Sequence, residues 1–221
     1  MDEFLKESTW FAQLPSVEQT RVASEVRLRE VTEGGYLLRS GGAADHWWGV
    51  VDGLLKMCTT ERDGRAITFT GLSSGAWFSE GSVLRGEPLR YDVVALRDSK
   101  VAMVPAATFF RLYHHHVCFN HYLISLLNER LQQFVVSYEV QRSMSVDSRV
   151  ARSLASLFNK RLYPGTETHL RISQEEIANL TGISRQRCSQ ALTTLRDAGL
   201  LRTEYQGVTI MDLEGLMKFD G

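Results

Sequence analysis

Cysteine is scarce in this chain, and the three that occur, Cys58, Cys118 and Cys188, are far apart with no CxxC pair. An odd count at that spacing does not make a disulfide framework and fits a reducing compartment. A thiolate-held zinc or iron–sulfur cluster needs clustered cysteines, so none is expected. Long hydrophobic runs are missing as well: no stretch approaches the roughly 18 consecutive apolar residues of a membrane span. The start, Met1-Asp2-Glu3-Phe4-Leu5-Lys6, lacks the basic, apolar pattern of a secretion signal. These absences give a soluble, cytoplasmic expectation with no membrane partner. A net charge excess is lacking too, with 25 Lys+Arg against 26 Asp+Glu. Taken alone, that balance argues against a nucleic-acid partner, because a basic surplus is the usual electrostatic footprint.

With 221 residues, 43% hydrophobic and 23% charged, the composition is that of a globular chain of one or two domains. Asp2 to Arg27 reads as short helices broken at Pro15, with Phe4, Leu5, Phe11 and Leu14 as an apolar stripe and Ser16 as an N-cap. From Leu28 to Val104 glycines punctuate short strand-like runs: Tyr36-Leu37-Leu38, Trp48 to Val51, Ile67-Thr68-Phe69, Val93 to Leu96 and Val101 to Val104. Many short strands at such intervals indicate a sandwich or barrel. Arg62-Asp63-Gly64-Arg65 suits a hairpin turn between two of them.

After Ala106 the glycines thin out. Phe119 to Gln141 is a continuous helical pattern, and its apolar positions Leu123, Leu127, Leu131, Phe134 and Tyr138 form a seam near the coiled-coil period. Such a seam serves either the chain's own barrel or a second subunit. The polar stretch Ser143 to Ser148 marks a boundary, so the expected division is 1–117, 118–142 and 143–221. A further helix follows, carrying Val150, Leu154, Leu157 and Phe158 on one face.

The chemistry concentrates between Leu170 and Asp212. Ser173 and Glu176 fit a capping box, which starts a helix at Gln174. Ala178 is small enough for a helix crossing, Gly182 can turn the chain, and Ser184 can cap a second helix. Ile177, Ile183, Cys188 and Leu192 then share a core. This is a helix-turn-helix, whose second helix enters a DNA major groove. On that helix Arg185, Gln186, Ser189 and Gln190 present groups suited to base edges, arginine to guanine and glutamine to adenine. Ser173, Ser184, Arg187, Arg196 and Arg202 are placed for phosphates, which set register. Gly199 ends the helix, and Leu200 to Tyr205 with Val208 to Met211 form a hairpin wing around Gln206-Gly207. A solvated polar helix face is the alternative for any one of these residues; the agreement of caps, core spacing and wing favours double-stranded DNA. Between Ile183 and Arg202 four arginines face one aspartate, so the neutral total hides a basic head.

These motifs resemble the CRP/FNR superfamily of bacterial transcription regulators. The carriers are Ser173 to Ala178, Ser184-Arg185-Gln186, Arg149-Val150-Ala151, and the signposts Gly41, Val51-Asp52-Gly53, Asp63-Gly64-Arg65, Gly75 and Phe78-Ser79-Glu80 to Arg90. The resemblance implies an α+β fold with a jelly-roll sensor barrel, a long dimerisation helix and a C-terminal winged helix-turn-helix. It also implies a homodimer, with RNA polymerase as a partner and a small-molecule effector in the barrel. Cyclic-nucleotide members hold the ribose with a Gly-Glu pair and the phosphate with an Arg-Ser/Thr-Ala triplet ten residues on, and read the purine with two hydroxyl residues. Here Glu80 and Arg90 keep the spacing, but the triplet is Arg90-Tyr91-Asp92. Asp92 near a phosphate would cost on the order of 1 kcal/mol or more. The purine-reading positions fall on Phe134 and Val135, which have no hydroxyl. Cyclic AMP in the usual mode is therefore not expected, and Glu80 and Arg90 are read as an ion pair retained in an altered pocket. Trp10, Trp47, Trp48 and Trp77 with Tyr91 and Phe134 either line an aromatic cavity for another effector or are packing. A cyclic-nucleotide-responsive regulator and a ligand-independent one both stay open.

No cysteine precedes Cys58, so the family's N-terminal iron–sulfur cluster has no ligands. His114-His115-His116 point three ways on a helix and suit one metal poorly. A cupin-like enzyme would need HxH plus a glutamate and a further histidine inside the barrel, where His46 stands alone. The expectation is no enzyme, no catalytic residue, no metal and no cofactor.

Overall fold

The computed structural model describes residues 2–60, 66–143 and 145–220. The expected hairpin turn at Arg62 to Arg65 lies outside the described residues. The chain opens with three helices, α1 (Asp2–Glu7), α2 (Thr9–Ala12) and α3 (Ser16–Glu25). Pro15 takes the N-cap position expected of Ser16, which becomes the first helical residue.

Eight strands follow: β1 (Arg27–Val31), β2 (Tyr36–Leu38), β3 (His46–Asp52), β4 (Leu54–Thr60), β5 (Ala66–Ser73), β6 (Trp77–Phe78), then after α4 (Glu80–Arg85), β7 (Asp92–Ala95) and β8 (Ser99–Pro105). They form two antiparallel sheets, ordered β1-β8-β3-β6 and β2-β7-β4-β5, a jelly-roll-like arrangement that does not close. Two helices continue the chain, α5 (Ala106–His115) and the long α6 (Val117–Ser143). The C-terminal part is α7 (Val146–Ser156), β9 (His169–Leu170), α8 (Gln174–Thr181), α9 (Arg185–Asp197), β10 (Leu201–Glu204), β11 (Gly207–Ile210) and α10 (Leu213–Lys218). Among the described residues no helix is long and apolar enough to cross a membrane.

An aromatic cluster packs between strands β3 and β6 of one sheet and the helices α1, α2, α5 and α6. Trp47 stacks on Trp77 with ring centroids 4.2 Å apart, and Trp10 meets both edge-on or tilted at 5.1 Å. Phe109 and Phe119, from α5 and α6, close the cluster, while Trp48, the next residue along β3, is buried on the opposite face of the sheet. Trp10, Trp47 and Trp77 are thus packing, because three chain segments converge there and pack ring on ring. Phe134 is not among them; it is exposed on α6.

A second buried cluster joins α7, α8, α9, the wing and α10. It does not stop at the boundary expected near Ser143. Leu54 and Leu96 of the barrel belong to it, while Leu162 and Tyr163, which follow α7, are buried in the barrel cluster. The two parts therefore exchange apolar side chains. Gly71 marks how close they come: a Cβ there would lie 2.7 Å from the Leu157 Cδ2 and would push that side chain aside.

Candidate DNA-binding interface and sensor corner

The helix-turn-helix is built by local hydrogen bonds. Ser173 accepts the Glu176 amide at 3.3 Å, and the Glu176 carboxylate accepts the Ser173 amide at 2.6 Å, completing the capping box. Gly182 adopts φ +67°, the left-handed conformation that lets the Ile183 amide return to the Ala178 carbonyl. Ser184 then caps α9 by accepting the Arg187 amide at 3.3 Å. Ile177, Ala178, Cys188, Leu192 and Leu195 are buried between the helices, and Ile183 is half-buried. Burial pushes the Cys188 thiol up to about 11, so it stays protonated and acts as a small apolar side chain.

This packing turns the other face of α9 outward. Arg185, Gln186, Arg187 and Gln190 are exposed and Ser189 is half-exposed. Arg187 donates to the Gln190 amide oxygen at 2.9 Å, which aligns both side chains along the helix. Arg196 behaves differently: both its Nε and Nη2 donate to Asp197, at 3.1 and 2.9 Å, so its charge is largely spent locally. Arg202 is exposed on β10, and the wing turns at Tyr205-Gln206, with Gln206 at φ +55°. Between α8, α9 and the wing lies a cleft of about 280 Å³ that Ser173, Arg185, Tyr205 and Gln206 help to line. Tyr205 is 92% exposed at the wing tip. The sequence reading missed it, although an aromatic at a hairpin turn with nothing to pack on was a signal.

The sensor corner differs from expectation. Glu80 is 3% exposed at the start of α4, and its partner is Arg130 of α6, whose Nε donates to Glu80 Oε1 at 2.9 Å. Arg130 also donates to the Trp77 carbonyl. The ion pair expected between Glu80 and Arg90 does not form; the Arg90 side chain is 75% exposed and pairs with Glu87 at 3.0 Å. Arg90 lies three positions after Glu87, so a surface contact is within easy reach. Asp92 does not face a phosphate position either; it is buried and accepts the Ser40 amide at 2.8 Å.

Tyr91 fills the corner. Burial and the Glu80 charge push its phenol up, while hydrogen bonds to Ser82 and Ser79 pull the other way. Tyr122 is pushed up by burial and by Glu80. Arg130 thus sits among one carboxylate and the phenols of Tyr91, Tyr122 and Tyr163. Phe134 and Val135 do not join them, being exposed on α6. Arg130 was not legible beforehand, because nothing in helical spacing marks which arginine turns inward.

On α6 the expected seam divides. Leu123 is buried in the chain's own barrel, one turn after Phe119. Leu127, Leu131, Phe134 and Tyr138 are exposed, and Ile124 stands on the same face in place of Leu123.

Residues 28–116 match the cyclic nucleotide-binding domain, and residues 148–219 match the Crp-like helix-turn-helix domain. The chain is 28% identical over 174 residues to the transcriptional regulator LdrP of Thermus thermophilus, covering 77% of this chain and 85% of that one. It is 25% identical to the cyclic AMP receptor protein of the same organism, over 90% of each. The fold superposes on FixK2 from Bradyrhizobium japonicum with a TM-score of 0.75 at 18% identity, covering 89% of this chain and 98% of that one.

The chain belongs to the CRP/FNR superfamily.

As a CRP/FNR protein it is a transcription regulator with a DNA-binding helix-turn-helix, and its relatives are regulators, not enzymes. Glu80 thus stays in the sensor corner with Arg130, and Arg90 lies outside it. Among the described residues no three His, Cys, Asp or Glu side chains gather as a metal site.

Proposed function

We propose that this regulator binds a pseudo-palindromic operator as a homodimer, with residues 1–117 as the sensor, 118–142 as the dimerisation helix and 143–221 as the reading head. Arg185, Gln186, Ser189 and Gln190 read bases. Ser173, Ser184, Arg187 and Arg202 hold phosphates, with Tyr205 added at the wing tip; Arg196 contributes only where DNA displaces Asp197. The carrying observation is the exposed polar face of α9 held by two side-chain caps and a shared core. The exposed strip Ile124, Leu127, Leu131, Phe134 and Tyr138 supports pairing through α6, and two recognition helices then meet grooves about 34 Å apart. RNA polymerase is the partner this class of regulator works with. Selection of operators from random DNA tests the reading. Arg185→Ala is expected to relax preference at one base position by about 1–3 kcal/mol, and failure to select any motif overturns it.

The barrel does not respond to cyclic AMP in the usual mode. Tyr91 occupies the corner beside Glu80 and Arg130, and Arg90 is engaged outside it. DNA affinity measured with and without cyclic AMP is expected to be equal; a rise of tenfold would reverse this conclusion. A different small-molecule effector is favoured by a groove of about 990 Å³ bounded by α1, α6 and residues 160–167, which adjoins both parts of the chain. Thermal-shift screening of metabolites against wild type and Asn128→Trp, which would obstruct the groove, tests that second reading.

A further inference from the structure

The reading head is tied to the barrel by a charged clasp. Arg97, in the turn between β7 and β8, donates from Nη1 to Glu176 Oε1 and from Nη2 to Glu176 Oε2, both at 2.8 Å. Nη2 also donates to the Arg171 carbonyl at 2.7 Å, just before α8. The side chains are only 12% and 18% exposed. A planar guanidinium on a carboxylate fixes direction as well as distance, which the apolar contacts around it do not. Those contacts, Leu54 and Leu96 in the winged-helix core and Gly71 against Leu157, allow sliding and rotation.

Both ends of the clasp are anchored. On the barrel side Ser99 Oγ donates to the Arg97 carbonyl at 2.7 Å, and Asp98 accepts the Glu33 amide at 2.8 Å. On the other side Glu176 is the capping-box residue of α8, and α8 shares its core with α9. A tilt of α8 therefore carries the recognition helix with it. The reading face of α9 stays exposed while the clasp is closed, so the contact orients the head without masking it.

We propose that Arg97 is a positioning residue for operator recognition: through Glu176 it sets the angle of α9 relative to α6, and hence the spacing of half-sites that a dimer accepts. The proposal rests on the homodimeric DNA-binding reading above. Full-length wild type, Arg97→Met, Arg97→Lys and the double variant Arg97→Met/Glu176→Gln are compared on three duplexes. These are a single half-site, the selected palindrome, and palindromes with the spacer changed by one or two base pairs. Glutamine keeps the capping box, so the double variant removes the stranded carboxylate without unravelling α8.

Arg97→Met is expected to bind the half-site like wild type. On the selected palindrome it loses about tenfold, because a freer head lowers the effective concentration of the second binding event. Its discrimination between spacers narrows by a similar factor. Arg97→Lys falls between, having the charge but not the fork, and the double variant matches Arg97→Met. An equal loss on every spacer would mean a merely structural role and overturn the proposal. Recovery of spacer discrimination in the double variant would overturn it too, by assigning the effect to an unpaired carboxylate. Failure of wild type on the selected palindrome itself would instead overturn the DNA-binding reading beneath it.

Discussion

At the scale of single residues, the chain's specificity lies in which charges are buried and with what. Glu80 and Arg130 form an almost enclosed pair, so removing one member leaves the other without its counter-charge. Arg130→Met is expected to cost about 3 kcal/mol of stability, and Arg130→Met/Glu80→Gln to recover much of it, by denaturant titration. Glu176 shows the same logic with a pH consequence. Burial pushes its carboxyl up, but the Arg97 hydrogen bonds and the Ser173 amide outweigh that and leave it below the usual 4.5. A carboxyl lowered in the folded state stabilises above its unfolded value, and that contribution is lost as pH falls through the folded one. Stability measured from pH 7 downward should hold to about pH 5 and then drop. Arg97→Met should show a smaller acid-induced drop.

Elements carry the next level of meaning, and α6 is the clearest. The helical pattern from Phe119 to Gln141 was legible because nothing in it breaks a helix, and the helix observed is Val117–Ser143. Which face goes where was not legible. Leu123 and Leu127 are both leucines one turn apart, yet one is buried against Phe119 and the barrel and the other is exposed. Periodicity gives a stripe; it does not say whether a second subunit or the chain's own barrel covers each part. Leu131→Glu, at a position 59% exposed in one protomer, should leave the fold intact and shift sedimentation from dimer to monomer. Palindrome binding should fall with it, whereas half-site binding should not. The helix-turn-helix was readable to the residue, since caps, turn glycine and core spacing are all local.

For the whole molecule, the balanced charge translates into a salt dependence. Among the described residues no carboxylate pairs with the exposed Arg187 or Arg202, while Arg196 is engaged by Asp197. A dimer then neutralises roughly four to six phosphates, and log affinity against log salt should have a slope of about −4 to −5. A slope near −10 would show many more contacts than the α9 and wing residues provide. The two parts of the chain also behave as one assembly, with Tyr163 buried in the barrel and Leu54 and Leu96 in the winged-helix core. Tyr163 follows the boundary expected at Ser143, and no composition shift marks it as barrel core.

The sequence by itself determined the order of parts and the reading head, because helices, caps, turns and strand periods are written within a few residues of one another. It also pointed away from cyclic AMP, through Tyr91 and the missing hydroxyls at Phe134 and Val135. Only the tertiary structure decided that Glu80 meets Arg130 and not Arg90, that Trp10, Trp47 and Trp77 pack into one cluster, and that Arg97 reaches Glu176. The two ion pairs join residues 50 and 79 positions apart, and a charge has no period. Its partner is fixed by the way two sheets and a docked winged helix pack, which is a property of the folded chain alone.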